Sequence, residues 1–275
     1  MIKNIKGFLS PFLLTAALVL TLSTHAQASI LTLYDGTSGV TPANFTPQQL
    51  TYFSVNGGTE TYQGAEQATQ LTTSLLDYAG YSNFATNGSL VNPNFPTLNR
   101  VEGYSIRFTM NLLAEAHTNN DRAGFSLLAV SSDAASGNLS SIEIGIQGDR
   151  VFSQETGFTT GESTAFDALS KGYVEYELSV LGTSYSFSAD GTELISGSLR
   201  DYTAWDSGGL PDPYEIPNFI FFGDNTTSAS ADLYFQDAYL IQPVLEPKSF
   251  LILLGCLGCF VGHRFRGKKK AESHS

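Results

Sequence analysis

Strict alternation of apolar and polar side chains is the main pattern in the middle of this chain. In residues 104–110, positions 104, 106, 108 and 110 are large and apolar, while the side chains between them are polar. Residues 174–180 and 185–189 repeat this period, with Gly182 between them and Asp190-Gly191 after the second run. A period of two places one set of side chains on one face of an extended chain, so each run predicts a half-buried β-strand. The glycines predict tight turns and therefore an antiparallel meander.

Shorter apolar runs predict further strands on both sides of this meander. They are separated by Gly, Asn, Asp and Ser at intervals of about ten residues, which is typical of two packed antiparallel sheets. The predicted strands are 30–34, 124–130, 141–146, 150–154, 219–222 and 231–241. Residues 41–99 lack the pattern, and we interpret them as the irregular first third of the same domain, with a short helix near residues 48–53.

The first residues have the features of a secretory signal. Lys3 and Lys6 precede a mostly apolar stretch, residues 8–22, and Ala26-Gln27-Ala28 has small residues at the two positions that signal peptidase reads. We therefore predict a signal peptide at residues 1–28, signal peptidase as a partner, and a mature protein that starts at Ser29. An uncleaved N-terminal anchor is the alternative.

A second apolar segment, residues 249–262, lies near the other end of the chain. Cations follow it at Arg264, Arg266 and residues 268–270, and the positive-inside rule assigns them to the cytoplasmic side. Fourteen helical residues span about 21 Å, which is less than the hydrocarbon core of about 30 Å. The segment can cross the core only if its basic side chains extend to the membrane–water interface. We expect a marginal anchor that is later removed, and a permanent single-pass anchor is the alternative.

This tail resembles the C-terminal sorting signal of PEP-CTERM proteins. The matching residues are Val244, Glu246 and Pro247 of the motif, the apolar helix, and Arg264 and Arg266 of the basic end. The chain departs from the family at Leu245, where proline is expected, and in the lysines that replace most arginines. The resemblance implies a bacterial protein, an extracellular or cell-surface destination and processing by an exosortase.

Together these signals divide the chain into five parts. They are a signal peptide (1–28), an ectodomain (29–241), a linker with the motif (242–249), a transmembrane or sorting helix (250–262) and a basic cytoplasmic tail (263–275). The layout resembles the cyanobacterial "choice-of-anchor" surface proteins, in which one ectodomain type is combined with interchangeable C-terminal anchors.

Charge and cysteine content exclude several classes of function. Residues 29–247 carry 25 acidic and six basic side chains, a net charge of −19. Nucleic acid and anionic lipid are therefore poor partners, because both need clustered cations. Cys256 and Cys259 both lie in the apolar tail, so the exported domain has neither a disulfide nor a thiolate site.

Three segments of the ectodomain resemble concanavalin A-like lectin and glucanase jelly rolls. They are residues 122–126, 141–145 and 218–224, and the resemblance covers roughly residues 100–241. It implies an all-β fold, an antiparallel jelly-roll sandwich.

The glucanases of this fold carry Glu-x-Asp-x-x-Glu or a near variant on one strand. The corresponding strand here has Glu143, but Gly145 and Gln147 or Gly148 stand where the other carboxylates belong. One carboxylate cannot serve as both nucleophile and general acid, so we expect no enzyme activity and interpret Glu143 as a solvent-facing strand residue. His117, the only histidine of the exported domain, is predicted to lie in a solvated turn. A divergent glycosidase or lyase that uses carboxylates from different strands is the alternative.

Oxygen-bearing side chains on predicted loops form the first candidate binding site. Asn119, Asp121, Asp133 and Asp224 offer the ligand type that Ca²⁺ prefers. The same residue types dominate ordinary turns, and Arg122 could instead pair with Asp121 or Asp224 to hold a sheet edge. Calcium is therefore a candidate cofactor, and no other is indicated.

An aromatic loop, residues 201–214, forms the second candidate site. It contains Tyr202, Trp205 and Tyr214 together with Asp206 in a Gly/Pro-rich setting. Aromatic faces stack on sugar rings while carboxylates accept hydrogen bonds from sugar hydroxyls. Trp205 could instead plug one end of the core, since large aromatics are mostly buried. We predict a carbohydrate-binding or adhesion module that binds surface polysaccharide, and a structural envelope or biofilm protein without a small ligand is the alternative.

Overall fold

The computed structural model describes residues 27–85, 90–133, 137–206 and 212–244. Within these ranges the chain forms fifteen β-strands and four single-turn 3₁₀ helices. The strands are β1 (Gln27–Asp35), β2 (Thr51–Val55), β3 (Thr59–Gln63), β4 (Ala68–Thr72), β5 (Tyr78–Ser82), β6 (Tyr104–His117), β7 (Phe125–Ser132), β8 (Leu139–Ile146), β9 (Arg150–Gln154), β10 (Thr160–Ala165), β11 (Tyr173–Leu181), β12 (Ser184–Ala189), β13 (Thr192–Ser198), β14 (Ile220–Asp224) and β15 (Ala229–Val244). The 3₁₀ helices are Gly36–Ser38, Pro42–Asn44, Ala168–Ser170 and Pro213–Glu215.

The strands form two antiparallel sheets, and the prediction of an all-β antiparallel jelly-roll sandwich is confirmed. Sheet A has the order β13-β12-β11-β6-β15-β4-β3, with β1 added beside β15. Sheet B has the order β10-β9-β8-β7-β14-β5-β2. The predicted meander is β11-β12-β13 at one edge of sheet A.

The long strand β15 organises sheet A. On one side it pairs with β6 over residues 229–241. On its other side β4 pairs with residues 232–235, and β1 pairs with residues 237–244. The first and last strands of the described chain are therefore neighbours.

The core lies between the sheets and is formed by the alternate side chains that the pattern selects. Phe108 of β6 is its centre: its ring is 5.2 Å from that of Tyr176, 5.6 Å from that of Phe222 and 6.3 Å from that of Phe235, between ring centroids. Burying a phenylalanine contributes about 1.5–3 kcal/mol, so these rings dominate the stability of the sandwich.

Sheet B is also covered on its outer face, whereas the outer face of sheet A carries mostly polar side chains. Leu128 and Val130 of β7 and Phe221 of β14 point away from the main core into a second apolar cluster. The connection between β13 and β14 covers this face with Tyr202, Tyr214 and other side chains. It is described for residues 199–206 and 212–219.

The interpretation of residues 41–99 as irregular is wrong, because they contain β2 to β5. The short helix expected at residues 48–53 is also wrong, since β2 lies there and pairs with β5. Tyr52 of β2 packs against Tyr81 of β5, with ring centroids 5.8 Å apart. Pairing with a distant strand decides this conformation, and a local pattern does not report it.

The predicted targeting segments lie outside the described residues. These include the signal peptide up to residue 26, the apolar tail, and Glu246, Pro247, Arg264 and Arg266 of the sorting motif. Val244 is the last residue of β15. The part of the chain that the structure describes contains no helix long and apolar enough to span a membrane.

Candidate functional site

Hydrogen bonds within the β13–β14 connection hold Trp205 in place. The Asp201 carboxylate accepts from the backbone N–H of Thr203 at 2.9 Å and from its hydroxyl at 2.7 Å. These bonds lower the pKa of Asp201. The N–H of Trp205 then donates to the carbonyl of Tyr202 at 2.9 Å, which closes a turn that carries the indole. Trp205 is therefore positioned by its own backbone.

Four aromatic side chains meet where this connection crosses sheet B. Phe158, in the turn between β9 and β10, is 5.6 Å from Tyr202 and 6.1 Å from Trp205, between ring centroids. Trp205 meets Tyr214 edge-to-face at 5.5 Å. Tyr202 and Tyr214 are buried, but Trp205 stays 40% exposed. Tyr202, Trp205 and Tyr214 were predicted for this site, whereas Phe158 was not. Trp205 is the exposed member of the four, and the other three rings pack around it.

The connection that carries the exposed indole also carries carboxylates. Asp206 is exposed and follows Trp205 directly in the chain. Burial, together with repulsion from Glu215 and Asp206, raises the pKa of Asp212. The Asp212 side chain accepts from the N–H of Tyr214 at 2.9 Å and thereby caps the 3₁₀ helix Pro213–Glu215. The surroundings of Trp205 therefore combine an aromatic surface with hydrogen-bond acceptors.

Glu143 of β8 lies under the β13–β14 connection and is hydrogen-bonded to it. Its interpretation as a solvent-facing residue is wrong. It is 2% exposed. The hydroxyl of Tyr214 donates to one carboxylate oxygen at 2.5 Å, and the Asn225 amide donates to the other at 2.9 Å. Burial raises the pKa of Glu143 despite these bonds. Alternation assigned Glu143 correctly to the outer face of sheet B, but the loop covers that face.

A close pair of carboxylates lies elsewhere, at the edge of the sandwich. One guanidinium nitrogen of Arg200 donates to Glu155 at 2.8 Å and to Glu162 at 2.5 Å. Although burial acts in the opposite direction, hydrogen bonds from Ser153 and Arg200 lower the pKa of Glu162 to about 2. The Arg200 hydrogen bond also lowers the pKa of Glu155. Both groups are ionised at neutral pH, and neither supplies the protonated acid that glycoside hydrolysis needs.

The structure does not gather the four proposed calcium ligands into one cluster, and only Asn119 and Asp121 share a turn. Asn119 accepts from the N–H of Asp121 at 2.9 Å, and the Asp121 carboxylate accepts from Thr160. Asp133 forms an ion pair with Arg100 at 3.7 Å. Asp224 is buried. Within the described ranges, no group of three or more His, Cys, Asp or Glu side chains could hold a metal ion.

Two further predicted residues have structural partners. Arg122 donates to the backbone carbonyls of Asp121 and Phe158. Its guanidinium lies over the Phe158 ring, 5.5 Å from the ring centroid. His117 is the last residue of β6, so the solvated turn expected there is wrong. Its ring nitrogen Nδ1 lies 3.1 Å from the Glu115 carboxylate.

Sequence reasoning missed a groove at one end of sheet A. The groove has a volume of about 490 Å³ and lies where β15 ends and β1 begins. Ser105, Ser179 and Ser186 line it in one row, because strand register places them side by side on β6, β11 and β12. Each serine was visible as a polar position of an alternating strand, but only the register brings them together.

Comparison with known proteins identifies structural likenesses but no family. No protein-family model matches the sequence, and neither does any curated protein.

The conserved carbohydrate esterase of the Shiga toxin-encoding bacteriophage phi24B matches with a TM-score of 0.53 at 13% identity, over 78% of this chain and 100% of that chain. A Bacillus subtilis protein of unknown function with a galectin-like fold matches with a TM-score of 0.41 at 10% identity, over 71% and 90%. The exoplasmic/lumenal domain of VIP36, bound to Ca²⁺ and Man3GlcNAc, matches with a TM-score of 0.44 at 11% identity, over 79% and 92%. At these identities the likeness to the esterase shows a common fold, the two-sheet antiparallel sandwich.

Proposed function

We propose that this protein is an exported, non-catalytic carbohydrate-binding module of the cell surface, held at the membrane at least transiently by its C-terminal tail. The observation that carries the proposal is Trp205, which is 40% exposed above a base of buried aromatic rings. A large aromatic in this position offers a flat apolar face to the C–H side of a sugar ring.

The support beneath Trp205 favours a binding role over a packing role. Tyr214 is buried and donates to Glu143, while the Trp205 backbone is held by Tyr202. A ligand that meets a surface already fixed in position loses less entropy from the protein on binding. Asp206, the next residue in the chain, carries an exposed carboxylate, a group that accepts hydrogen bonds from sugar hydroxyls.

Three carboxyl groups support the non-catalytic part of the proposal. Glu143, the remaining residue of the glucanase pattern, is sequestered beneath Tyr214. Glu155 and Glu162 are close together but are both held ionised by Arg200. A retaining or inverting glycosidase needs one ionised and one protonated carboxyl group around an accessible substrate.

The fold makes polysaccharides the first ligands to test. The phage protein that shares it is described as a carbohydrate esterase, and sandwich folds present their outer faces and loops to ligands. A calcium requirement is tested alongside, since a cation could be bound together with the sugar.

The test is binding of the purified ectodomain to a glycan array, with and without chelator. For a glycan that binds, Trp205→Ala is expected to weaken the affinity about tenfold, because a stacked aromatic contributes about 1.4 kcal/mol. Leu169→Ala is the matched control, since Leu169 is also an exposed apolar side chain but lies in the 3₁₀ helix Ala168–Ser170. It is expected to leave the affinity unchanged.

Three results would contradict the proposal. An array without any binding favours the structural envelope protein instead. Equal affinity of Trp205→Ala and Leu169→Ala removes the aromatic loop as the site. Turnover of a polysaccharide, detected as new reducing ends or unsaturated products, makes the protein an enzyme.

A further inference from the structure

Two exposed aliphatic residues lie on adjacent turns at the end of the sandwich where β1 begins and β15 ends. Leu181 is 65% exposed at the turn between β11 and β12, and Val101 is 60% exposed in the loop before β6. We name this pair of turns, residues 99–103 and 181–183, the apolar rim. Tight turns are usually built from polar residues, so large aliphatic side chains on two adjacent turns are uncommon.

The apolar rim is held rigidly to the end of the strands. The N–H of Gly182 donates to the carbonyl of Arg100 at 2.6 Å, and the Arg100 guanidinium donates back to the carbonyl of Gly182 at 3.0 Å. Gln242, near the end of β15, donates to the carbonyl of Thr97 at 2.6 Å. The backbone of the two turns is therefore fixed relative to the point where the chain leaves β15.

The sequence after β15 limits how far this end can be from a bilayer. Five residues, 245–249, separate Val244 from the apolar segment 250–262. Five extended residues reach at most about 18 Å, and the headgroup layer on each side of the hydrocarbon core is about 5–8 Å thick. If the segment begins at the hydrocarbon boundary, the end of β15 lies within about 13 Å of the outer headgroup surface.

The charge at this end permits such an approach, although the domain as a whole is strongly acidic. Arg100 pairs with Asp133 at 3.7 Å, and Glu102 is an exposed carboxylate of the rim. The linker adds one residue of each sign, Glu246 and Lys248. A nearly balanced surface with protruding aliphatic side chains suits zwitterionic lipid better than an anionic bilayer.

We infer that the apolar rim is a lipid-contact surface, with Leu181 and Val101 in the headgroup region of the bilayer that holds the uncleaved tail. The contact holds the long axis of β15 upright on the membrane and directs the opposite end of the sandwich away from it. This inference rests on the membrane insertion of the tail that the proposed function includes.

The test uses the single tryptophan of the sequence as a probe that can be moved. In a Trp205→Phe background, Leu181→Trp and Val101→Trp each place one indole on the apolar rim. The exported chain, residues 29–275, is reconstituted into phosphatidylcholine vesicles with bromine near the top of the acyl chains. Both variants are expected to lose emission and shift to the blue relative to the same protein in vesicles without bromine.

Leu76→Trp in the same background is the matched control. Leu76 is 65% exposed, as Leu181 is, but its N–H donates to the carbonyl of Thr227 at the start of β15. Strand β6, which runs between the two ends, has 14 residues and is therefore about 45 Å long. The Leu76→Trp probe is expected to keep its emission in brominated vesicles.

Flotation of the vesicles separates failure of the inference from failure of the proposed anchoring. Protein that floats with vesicles while both rim probes stay unquenched overturns the lipid contact and leaves the anchor intact. Equal quenching of the Leu76→Trp probe overturns it as well, because no end is then preferred. Protein that does not float shows that the tail does not insert, and both the anchoring and the lipid contact are then rejected.

Discussion

Asp224 and Glu162 illustrate how differently carboxyl groups behave in this acidic domain. Burial raises the pKa of Asp224 to about 8, even though Thr73 and the N–H of Thr226 donate to it. In Glu162 the hydrogen bonds from Ser153 and Arg200 outweigh burial and lower the pKa to about 2. Asp224 is fully buried, whereas Glu162 is partly exposed, so burial destabilises the ionised form more at Asp224. Glu162 also has a cationic donor, Arg200, in addition to the Ser153 hydroxyl.

Asp224 makes the stability of the domain depend on pH in the neutral range. Its pKa is near 3.8 in the unfolded chain and about 8 in the folded protein. The contribution of the protonated Asp224 carboxyl to the free energy of unfolding is therefore complete below about pH 4. It is lost as the pH rises through about 8, by up to about 1.4 kcal/mol per pH unit. Asp224→Asn is expected to make the free energy of unfolding fall less steeply between these limits, as measured by urea denaturation at several pH values.

Asp121→Asn is the control for this measurement. Hydrogen bonds from Thr160 lower the pKa of Asp121, so its contribution is present above the unfolded pKa and is lost only as the pH falls below it. The variant should keep the steep decline between about pH 4 and about pH 8. The same slope in Asp224→Asn and the unsubstituted protein would refute the assignment.

At the scale of elements, Arg200 closes the side of the sandwich where β13 meets sheet B. Its backbone pairs with Ser141 of β8 through bonds of 2.7 and 2.8 Å. Its side chain reaches Glu155 after β9 and Glu162 on β10. One residue therefore connects the edge of sheet A to three strands or strand ends of sheet B.

Arg200→Met is expected to lower the free energy of unfolding by about 2 kcal/mol, since it removes charge-assisted hydrogen bonds from a mostly buried guanidinium and leaves two carboxylates facing each other. Arg107→Met is the matched control, because Arg107 also contacts two glutamates, Glu175 and Glu177, but on the exposed face of sheet A. It should cost less than about 1 kcal/mol. Equal losses in urea denaturation would show that Arg200 does not hold the sheets together.

At the scale of the whole molecule, β1 joins the beginning of the domain to its end. It supplies Leu33 and Tyr34 to the core and pairs with the second half of β15. Tyr34 stacks on Phe235 of β15, with ring centroids 5.8 Å apart. Sheet A therefore depends on contacts between the two ends of the ectodomain.

Removal of residues 27–35 is expected to abolish cooperative unfolding and to cause aggregation. It takes two large side chains from the core and leaves the last eight residues of β15 with an open edge. Near-ultraviolet circular dichroism and size-exclusion chromatography report the result. Ile30→Ser, an exposed position of the same strand, should leave both unchanged. A cooperative monomer without β1 would contradict the expected role.

The sequence predicted the strands whose apolar alternation is strong, and missed those that lack it. The predicted segments at residues 104–110, 174–180 and 185–189 lie in β6, β11 and β12. By contrast, β10 (Thr160–Ala165) has no large apolar residue, and its conformation follows from pairing with β9 and from the Arg200 contact to Glu162. Such a strand has no local signal, because its stability comes from partners distant in sequence.

The candidate site was predicted in composition but not in arrangement. Tyr202, Trp205 and Tyr214 were identified together on one loop, yet two of them are buried and one is exposed. The proposed calcium ligands are all Asn or Asp, but the carboxylates of Asp121, Asp133 and Asp224 each bind a different partner in the fold. Residue type limits what a site can do, and only packing decides which side chains meet there.

The sequence by itself determined which side chains of the alternating strands face the core, because a period of two divides an extended chain into an apolar and a polar face. It also determined that the described domain is acidic and relies on burial without disulfides. Only the tertiary structure decided that Glu143 is covered, that the serines of three strands form one groove, and that Leu181 and Val101 lie beside the end of β15. These facts depend on strand register and on loops that cross from sheet to sheet, and both are set by contacts between residues far apart in the chain.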